Sequence, residues 1–306
     1  MKYFFIINPM AGKENPMNLF GDRIKALCEK HSLDYQIILT EKQGHATEIA
    51  ASIAADASES EPVRIFALGG DGTLCETANG LLNKPFCELG CIPCGSGNDF
   101  NKSFGRKEDF LDIENYILCP SVAVDAISSQ YMNAINICSL GLDANICDMA
   151  NRIKSKNKKL SGPKAYNKAV ARCLLGKIYN ELKITIDDDK VFEGKYLFSL
   201  AANGQYYGSG WRSAPVADPC DGMLDFIFIN KMSTLRALTV IPAYKSGKYF
   251  FMKKYKKILT YARGRKIRIQ SVKPSVVNID GECESINDIT FEVVPNALKF
   301  IVPQNF

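Results

Sequence analysis

The stretch FALGGDGTLCETANGLL, residues 66–82, passes from an apolar run into a helical pattern through two glycines, an aspartate and a third glycine. Gly69, Gly70 and Gly72 allow backbone angles that side-chain-bearing residues resist, and they let a ligand reach the main chain. The free N–H groups at the start of the following helix suit a phosphate. Asp71 would repel that phosphate unless a cation stood between them. A strand, a glycine turn holding one carboxylate and a helix therefore predict a metal–nucleotide site. Thr73 and Glu76 are spaced as a capping box, T-L-C-E, worth about 1 kcal/mol of helix stability, which makes Glu76 a cap rather than a catalyst. Asp71 precedes that cap inside the glycine cluster and has no such reading.

Working outward, the first hundred residues alternate strand and helix patterns. Residues 3–7, 35–39, 63–68 and 89–92 read as strands, and 16–30, 45–55 and 74–82 as helices, the second with Ile49 and Ile53 on one face. Such alternation predicts a parallel sheet covered on both sides, with ligands at the C-terminal ends of its strands. NPMAGK (8–13), the opening turn and IPCGSGNDF (92–100) all lie at such ends. After about residue 120 the rhythm changes. Strand patterns at 131–140, 182–187, 195–203, 223–230, 265–270, 275–280 and 289–294 predict a sandwich-like second domain, with helical stretches near 143–153, 162–175 and 233–245. The last strand pattern, 297–302, could return to either domain.

A chain of 306 residues, 46% hydrophobic and 23% charged, has the make-up of a soluble two-domain protein. No apolar stretch approaches the ~18 residues that span a bilayer. The opening MKYFFIINP is too short for a secretory signal and reads as a first strand. Eleven cysteines without such a signal predict reduced thiols in a cytoplasm. Cys87, Cys91 and Cys94 have the C-x3-C-x2-C spacing of an iron–sulfur site, but a strand sends successive side chains to opposite faces, so core cysteines are expected. Two histidines give no histidine-rich metal site. The net charge is +5, and it is unevenly spread: Arg152–Lys177 holds nine basic residues and Lys231–Arg268 twelve, with no acidic residue in either run. These runs predict an anionic partner. They lack the helix-turn-helix, zinc or stacking motifs of nucleic-acid binding.

Seven blocks then occur in order: NPMAGK (8–13), Thr40, GGDGTLCETANGLL (69–82), IPCGSGNDF (92–100), NICSLGLDA (136–144), ADPCDGMLD (217–225) and NIDGE (278–282). Over nearly its whole length the chain resembles bacterial lipid kinases of the diacylglycerol kinase catalytic-domain family, which also includes sphingosine and ceramide kinases. The resemblance implies an α/β plus β fold. A phosphofructokinase-like three-layer nucleotide domain (1–126, which 296–306 could complete) is followed by a β-sandwich acceptor domain (127–295). It implies ATP contacts at Asn8, Thr40, Gly70, Asp71, Gly72, Thr73, Gly95, Ser96, Gly97 and Asn98. It further implies a magnesium ion positioned by Asp71 and Asp99, a general base at Glu282, and a second, structural magnesium on Asp218, Asp221 and the Met223 carbonyl. Cys75, the segment NGQYYGSGW (203–211) and Ser96 depart from the family pattern.

The expected reaction is transfer of the γ-phosphoryl group of ATP to a lipid hydroxyl, with diacylglycerol the default acceptor. The acceptor hydroxyl must lose a proton to a positioned carboxylate, and the remaining work is placement and neutralisation of phosphate charge. The D-G of 280–281 also reads as a plain hairpin turn. The competing readings are a kinase of a sphingoid base, undecaprenol or NAD, and a catalytically silent nucleotide- or lipid-binding protein. The expected setting is cytoplasmic, with transient docking on an anionic membrane surface and no nucleic-acid partner; a homodimer is left open.

Overall fold

The computed structural model describes residues 1–157, 160, 162–176 and 178–304. Lys158, Lys159 and Lys177 of the first basic run lie outside them. In chain order the elements are β1 (Lys2–Ile7), α1 (Pro16–Lys30), β2 (Asp34–Leu39), α2 (His45–Asp56), β3 (Val63–Gly69), α3 (Asp71–Leu81), β4 (Cys87–Pro93), α4 (Lys107–Leu111), α5 (Ile113–Tyr116) and β5 (Ser121–Ser128). There follow β6 (Ile137–Gly141), α6 (Leu142–Lys156), α7 (Gly162–Cys173), β7 (Asn180–Ile186), β8 (Lys190–Ala202), β9 (Leu224–Asn230), α8 (Thr234–Lys245), β10 (Leu259–Gly264), β11 (Lys266–Ile279) and β12 (Glu282–Ile301). Two compact units result: Met1–Asp125 with Pro295–Phe306, and Ala126–Val294.

The first unit is built on a parallel sheet in the order β12 (its last residues), β4, β3, β1, β2. β3 is buried at every residue, as expected of a central parallel strand covered on both faces, whereas β2 at the edge alternates in exposure. Asn15 caps α1 by accepting from the Met17 amide at 2.9 Å, and Pro16 occupies its first turn. α2 buries Ala46, Ala50 and Ala54 rather than the Ile49 and Ile53 face expected from the sequence. The reason is close helix packing: a Cβ at Gly80 of α3 would lie 2.7 Å from the Ala50 methyl carbon and 2.7 Å from the Thr47 carbonyl.

The second unit is an antiparallel assembly in the order β10, β9, β8, β6, β11, β12, with β7 pairing both β8 and β11. Alternate residues of β9 face two cores. Ile227 and Ile229 join residues of α6, α7 and α8, while Leu224, Phe226 and Phe228 join β7, β11 and β12. That period of two is how one strand serves both sides of a sandwich layer. Where the sequence suggests separate strands at 265–270 and 275–280, a single β11 runs through a register shift between Gln270 and Ser275. Among the described residues no helix is long and apolar enough to cross a membrane.

Candidate active site

In the first unit the expected nucleotide residues gather at the C-terminal ends of β1, β2, β3 and β4. Asn8 follows β1, its amide bonded to the Leu68 carbonyl at 3.0 Å, and Thr40 follows β2, its amide bonded to the Ile7 carbonyl at 2.9 Å. The Gly69 carbonyl takes three donors: the Cys94 amide at 2.9 Å, the Gly95 amide at 3.1 Å and the Asn98 side-chain amide at 3.0 Å. The turns after β3 and β4 thereby close backbone to backbone. A Cβ on Gly95 would stand 2.6 Å from Gly70 Cα, so only glycine fits there. Gly72 and Ser96 face outward, leaving the main chain of both turns open to a ligand.

Two of the expected contacts turn inward. The buried Thr73 hydroxyl accepts from Asn8 Nδ2 at 3.2 Å, and Asn98, at φ 48°, braces Gly69 with its side chain. The expected capping box also differs. α3 starts at Asp71, three residues earlier than a Thr73 cap requires, and its N-cap Gly70 has no side-chain cap. Glu76 instead serves the neighbouring helix, accepting from the Ala46 amide of α2 at 3.4 Å.

Asp71 spans the two turns. Its carboxylate accepts from the Asn98 amide at 2.8 Å and the Asp99 amide at 2.6 Å. Asp99, itself buried, is ion-paired with Lys102. A Cβ at Gly97 would lie 2.3 Å from Asp71 Oδ2 and 3.5 Å from Asp99 Oδ2, so this glycine lets the two carboxylates draw together. Burial, then the Asp99 charge, pushes the Asp71 pKa up to about 6. Two hard-oxygen carboxylates sharing one lysine leave a surplus negative charge at a turn rich in amides, a donor set that suits magnesium.

In the second unit Asp280 and Gly281 form a two-residue hairpin turn between β11 and β12, both at positive φ (46° and 105°). The Asp280 carboxylate accepts from the Ile135 amide at 2.6 Å, the Asn136 amide at 3.1 Å and the Ile137 amide at 2.9 Å, so its role is to hold the chain entering β6. Glu282, the next strand residue, is exposed. The turn is thus both a hairpin and a rigid mount for Glu282.

The sequence reading missed the carboxylate of Asp143, although its block, NICSLGLDA, was in view. Asp143 lies in the first turn of α6, 4% exposed, and borders an apolar cavity of about 60 Å3 whose walls include Tyr166, Phe198, Trp211 and Val240. Tyr207 donates to it, and the Tyr244 hydroxyl stands 3.1 Å from that of Tyr207. Ser139 also bonds Asp143, yet burial outweighs both bonds and lifts its pKa to about 6. Ser139 in turn accepts from Asn278 Nδ2 at 3.3 Å, and Asn278 Oδ1 accepts from the Gly281 amide at 2.7 Å. A continuous hydrogen-bonded chain therefore joins the cavity carboxylate to the Glu282 turn. Tyr207 is placed by the tight hairpin of the atypical NGQYYGSGW segment, which closes on Trp211.

The Asp218–Met223 loop takes another form. Asp218 accepts from the Cys220 amide at 3.0 Å, Asp221 Oδ1 from the Met223 amide at 3.0 Å, and the second Asp221 oxygen from Arg263. A guanidinium already bound to Asp221 puts a positive charge where a second magnesium would have to sit, so these residues do not fit the one expected from the resemblance. The three cysteines of the C-x3-C-x2-C spacing are free thiols; burial pushes Cys94 up to about 12 and raises Cys87 and Cys91 as well.

Residues 2–140 match the diacylglycerol kinase catalytic domain, and residues 136–302 match the YegS C-terminal NAD kinase beta sandwich-like domain. The chain belongs to the diacylglycerol kinase catalytic-domain family of lipid kinases. It is 27% identical over 263 residues to a protein assigned as a lipid kinase in Bacillus subtilis (strain 168), covering 81% of this chain and 83% of that one. A protein with the same assignment from Staphylococcus aureus (strain MRSA252) is 26% identical over 280 residues, 91% of this chain and 88% of the other. In fold it resembles a diacylglycerol kinase from Bacillus anthracis str. Sterne, with a TM-score of 0.72 at 21% identity over 99% of this chain and 97% of that one. An NAD kinase from Archaeoglobus fulgidus in complex with ATP is more distant, with a TM-score of 0.55 at 14% identity over 100% and 95%.

Proposed function

We propose that this lipid kinase transfers the γ-phosphoryl group of ATP to the free hydroxyl of diacylglycerol, giving phosphatidate. The observation that carries the nucleotide half is the meeting of the Gly70 and Gly95 turns, with the exposed Gly72 and Ser96 on either side and the Asp71 carboxylate spanning them. In this reading Asp71 and Asp99 hold a magnesium ion, which when bound neutralises phosphate charge. Asn8, Thr40 and the two glycine turns seat the nucleotide. Glu282 takes the acceptor proton, being a carboxylate on a strand end fixed by the Asp280 clamp. The apolar cavity beside Asp143 supports an apolar acceptor by the chemistry of its walls, which are aliphatic and aromatic around one carboxylate, although its volume holds only a short apolar group.

An acceptor that lives in a bilayer requires the enzyme to dock there. The second basic run favours an anionic surface. Tyr249 and Tyr255 are buried and anchor residues 248–257, while Phe251, Met252, Lys253, Lys254, Lys256 and Lys257 are exposed. Two apolar side chains among lysines suit the interface of the inner membrane leaflet. An assay with radiolabelled ATP, offering diacylglycerol, sphingosine, undecaprenol and NAD side by side, tests the reading. Labelled phosphatidate is expected, and phosphorylation of NAD alone would overturn it.

A further inference from the structure

Asp218, Asp221 and Asp225 bring three carboxylates to the loop leading into β9, and strand pairing delivers a cation to them. In the antiparallel register of β9 and β10, Arg263 lies directly opposite Asp225. Its Nη2 donates to Asp221, and its Nε stands 3.8 Å from Asp225 Oδ1. That same Asp225 oxygen accepts from the Tyr261 hydroxyl at 2.5 Å. The Asp225 side chain is only 1% exposed, and its other oxygen has no hydrogen-bond partner among the described residues. A buried, half-satisfied carboxylate beside two others is costly unless positive charge is close.

We infer that Arg263 is the built-in cation of this loop, standing in for the second, structural magnesium that the family resemblance implies, so that the loop folds without a divalent ion. The planar guanidinium reaches two carboxylates from one rigid fork, which a hydrated lysine does less well. Its position follows from the β9–β10 register, so it is present in every folded molecule and needs no metal supply. Magnesium would demand several oxygen donors in near-octahedral array, and the guanidinium on Asp221 and beside Asp225 competes by charge for the same oxygens. The inference concerns the folding of the second unit and is independent of which acceptor is phosphorylated.

Thermal melting of the full chain without nucleotide, in EDTA and in millimolar magnesium chloride, tests it. The wild-type melting temperature should be the same in both. Arg263→Met should melt roughly 2–4 °C or more below wild type in EDTA and regain much of that loss with magnesium, because removal of the guanidinium leaves an acidic pocket open to a cation. Arg263→Lys, which keeps the charge, should fall between the two and respond less to magnesium. The inference is overturned by a wild-type melting temperature that rises several degrees with magnesium and loses that rise in Asp221→Asn. It is equally overturned by an Arg263→Met protein as stable in EDTA as wild type. A magnesium response that survives Asp221→Asn and disappears in Asp71→Asn belongs to the nucleotide turns and agrees with the inference. Should Arg263→Met not fold, the wild-type and Asp221→Asn melts still decide.

Discussion

Asp71 and Asp280 each precede a glycine in a tight turn, and each accepts backbone amides, yet their surroundings differ. Asp280 holds three amides of the chain entering β6, and the residue two places on, Glu282, is exposed. Asp71 holds two amides, but Asp99 crowds it and burial raises its pKa to about 6. The first is a staple whose charge is spent on the fold. The second retains unspent charge at a turn open to phosphate. Two D-G pairs in one chain thus acquire different functions from what packs around them.

The largest effects should separate those roles. Glu282→Gln is expected to lower kcat by ~10²–10⁴ while nucleotide affinity and melting temperature stay near wild type, since the side chain is exposed. A kcat within threefold of wild type would remove Glu282 from the proton transfer. Asp71→Asn should cost ~10²–10³ in kcat/KM for magnesium–ATP, because an amide cannot carry the cation's charge. Asp280→Asn is the reverse case. It should unfold the protein more easily by about 1–3 kcal/mol in denaturant melts, by weakening bonds to buried amides. If Asp280→Asn proved as stable as wild type, the staple reading would fail.

Docking comes next in size. Lysines near an anionic leaflet contribute about 1 kcal/mol each, screened beyond ~8–10 Å at physiological salt. Converting Lys253, Lys254, Lys256 and Lys257 to glutamate should lower activity on anionic vesicles tenfold or more and leave a short-chain soluble acceptor turned over as before. Equal losses on both acceptors would assign the run to the fold or the catalytic machinery instead.

Much of the first unit can be read from sequence because each device there is local. A glycine turn, an apolar strand and a helix start lie within a few residues of one another, so spacing alone finds them. What escapes is settled by contacts far along the chain. Glu76 looks like a cap for its own helix but bonds α2, thirty residues earlier. The buried face of α2 is an alanine stripe because Gly80 of α3 allows close approach, and no hydrophobicity pattern within α2 reveals that. The Asp143–Tyr207–Tyr244 cluster joins three separate elements, and the Arg263 ion pair depends on a strand register. Acidic residues near one another in sequence resemble a metal site until the partner strand is placed.

A smaller effect concerns pH. Burial raises the Asp143 pKa from 3.8 to about 6. A carboxyl raised on folding binds its proton more tightly in the native state, so its contribution to stability is present below the unfolded value and is lost as pH rises through about 6. Asp143→Asn should remove that slope. The difference in melting temperature between wild type and Asp143→Asn should therefore shift against wild type on going from pH about 4 to pH about 7. A difference that stays flat across this range would show that folding leaves the Asp143 pKa unshifted.

The smallest expected effect tests the cysteines beneath the Asp71 turn. Cys91 is fully buried in β4, where its amide donates to the Tyr116 hydroxyl at 3.0 Å and its sulfur receives a long contact from Asn98 Nδ2 at 3.8 Å. A thiol so placed behaves as a small apolar side chain, since burial and the nearby Asp71 charge both oppose the thiolate. Cys91→Ala should cost about 1 kcal/mol of stability and leave kcat and KM unchanged, because the Gly69 carbonyl keeps all three of its donors. The neighbouring Cys87 and Cys94 should tolerate the same change. A loss of bound iron or of a visible chromophore on Cys91→Ala would mean that the three thiols hold a cluster. β4 would then have to release Cys91 from the core for its side chain to reach the other two.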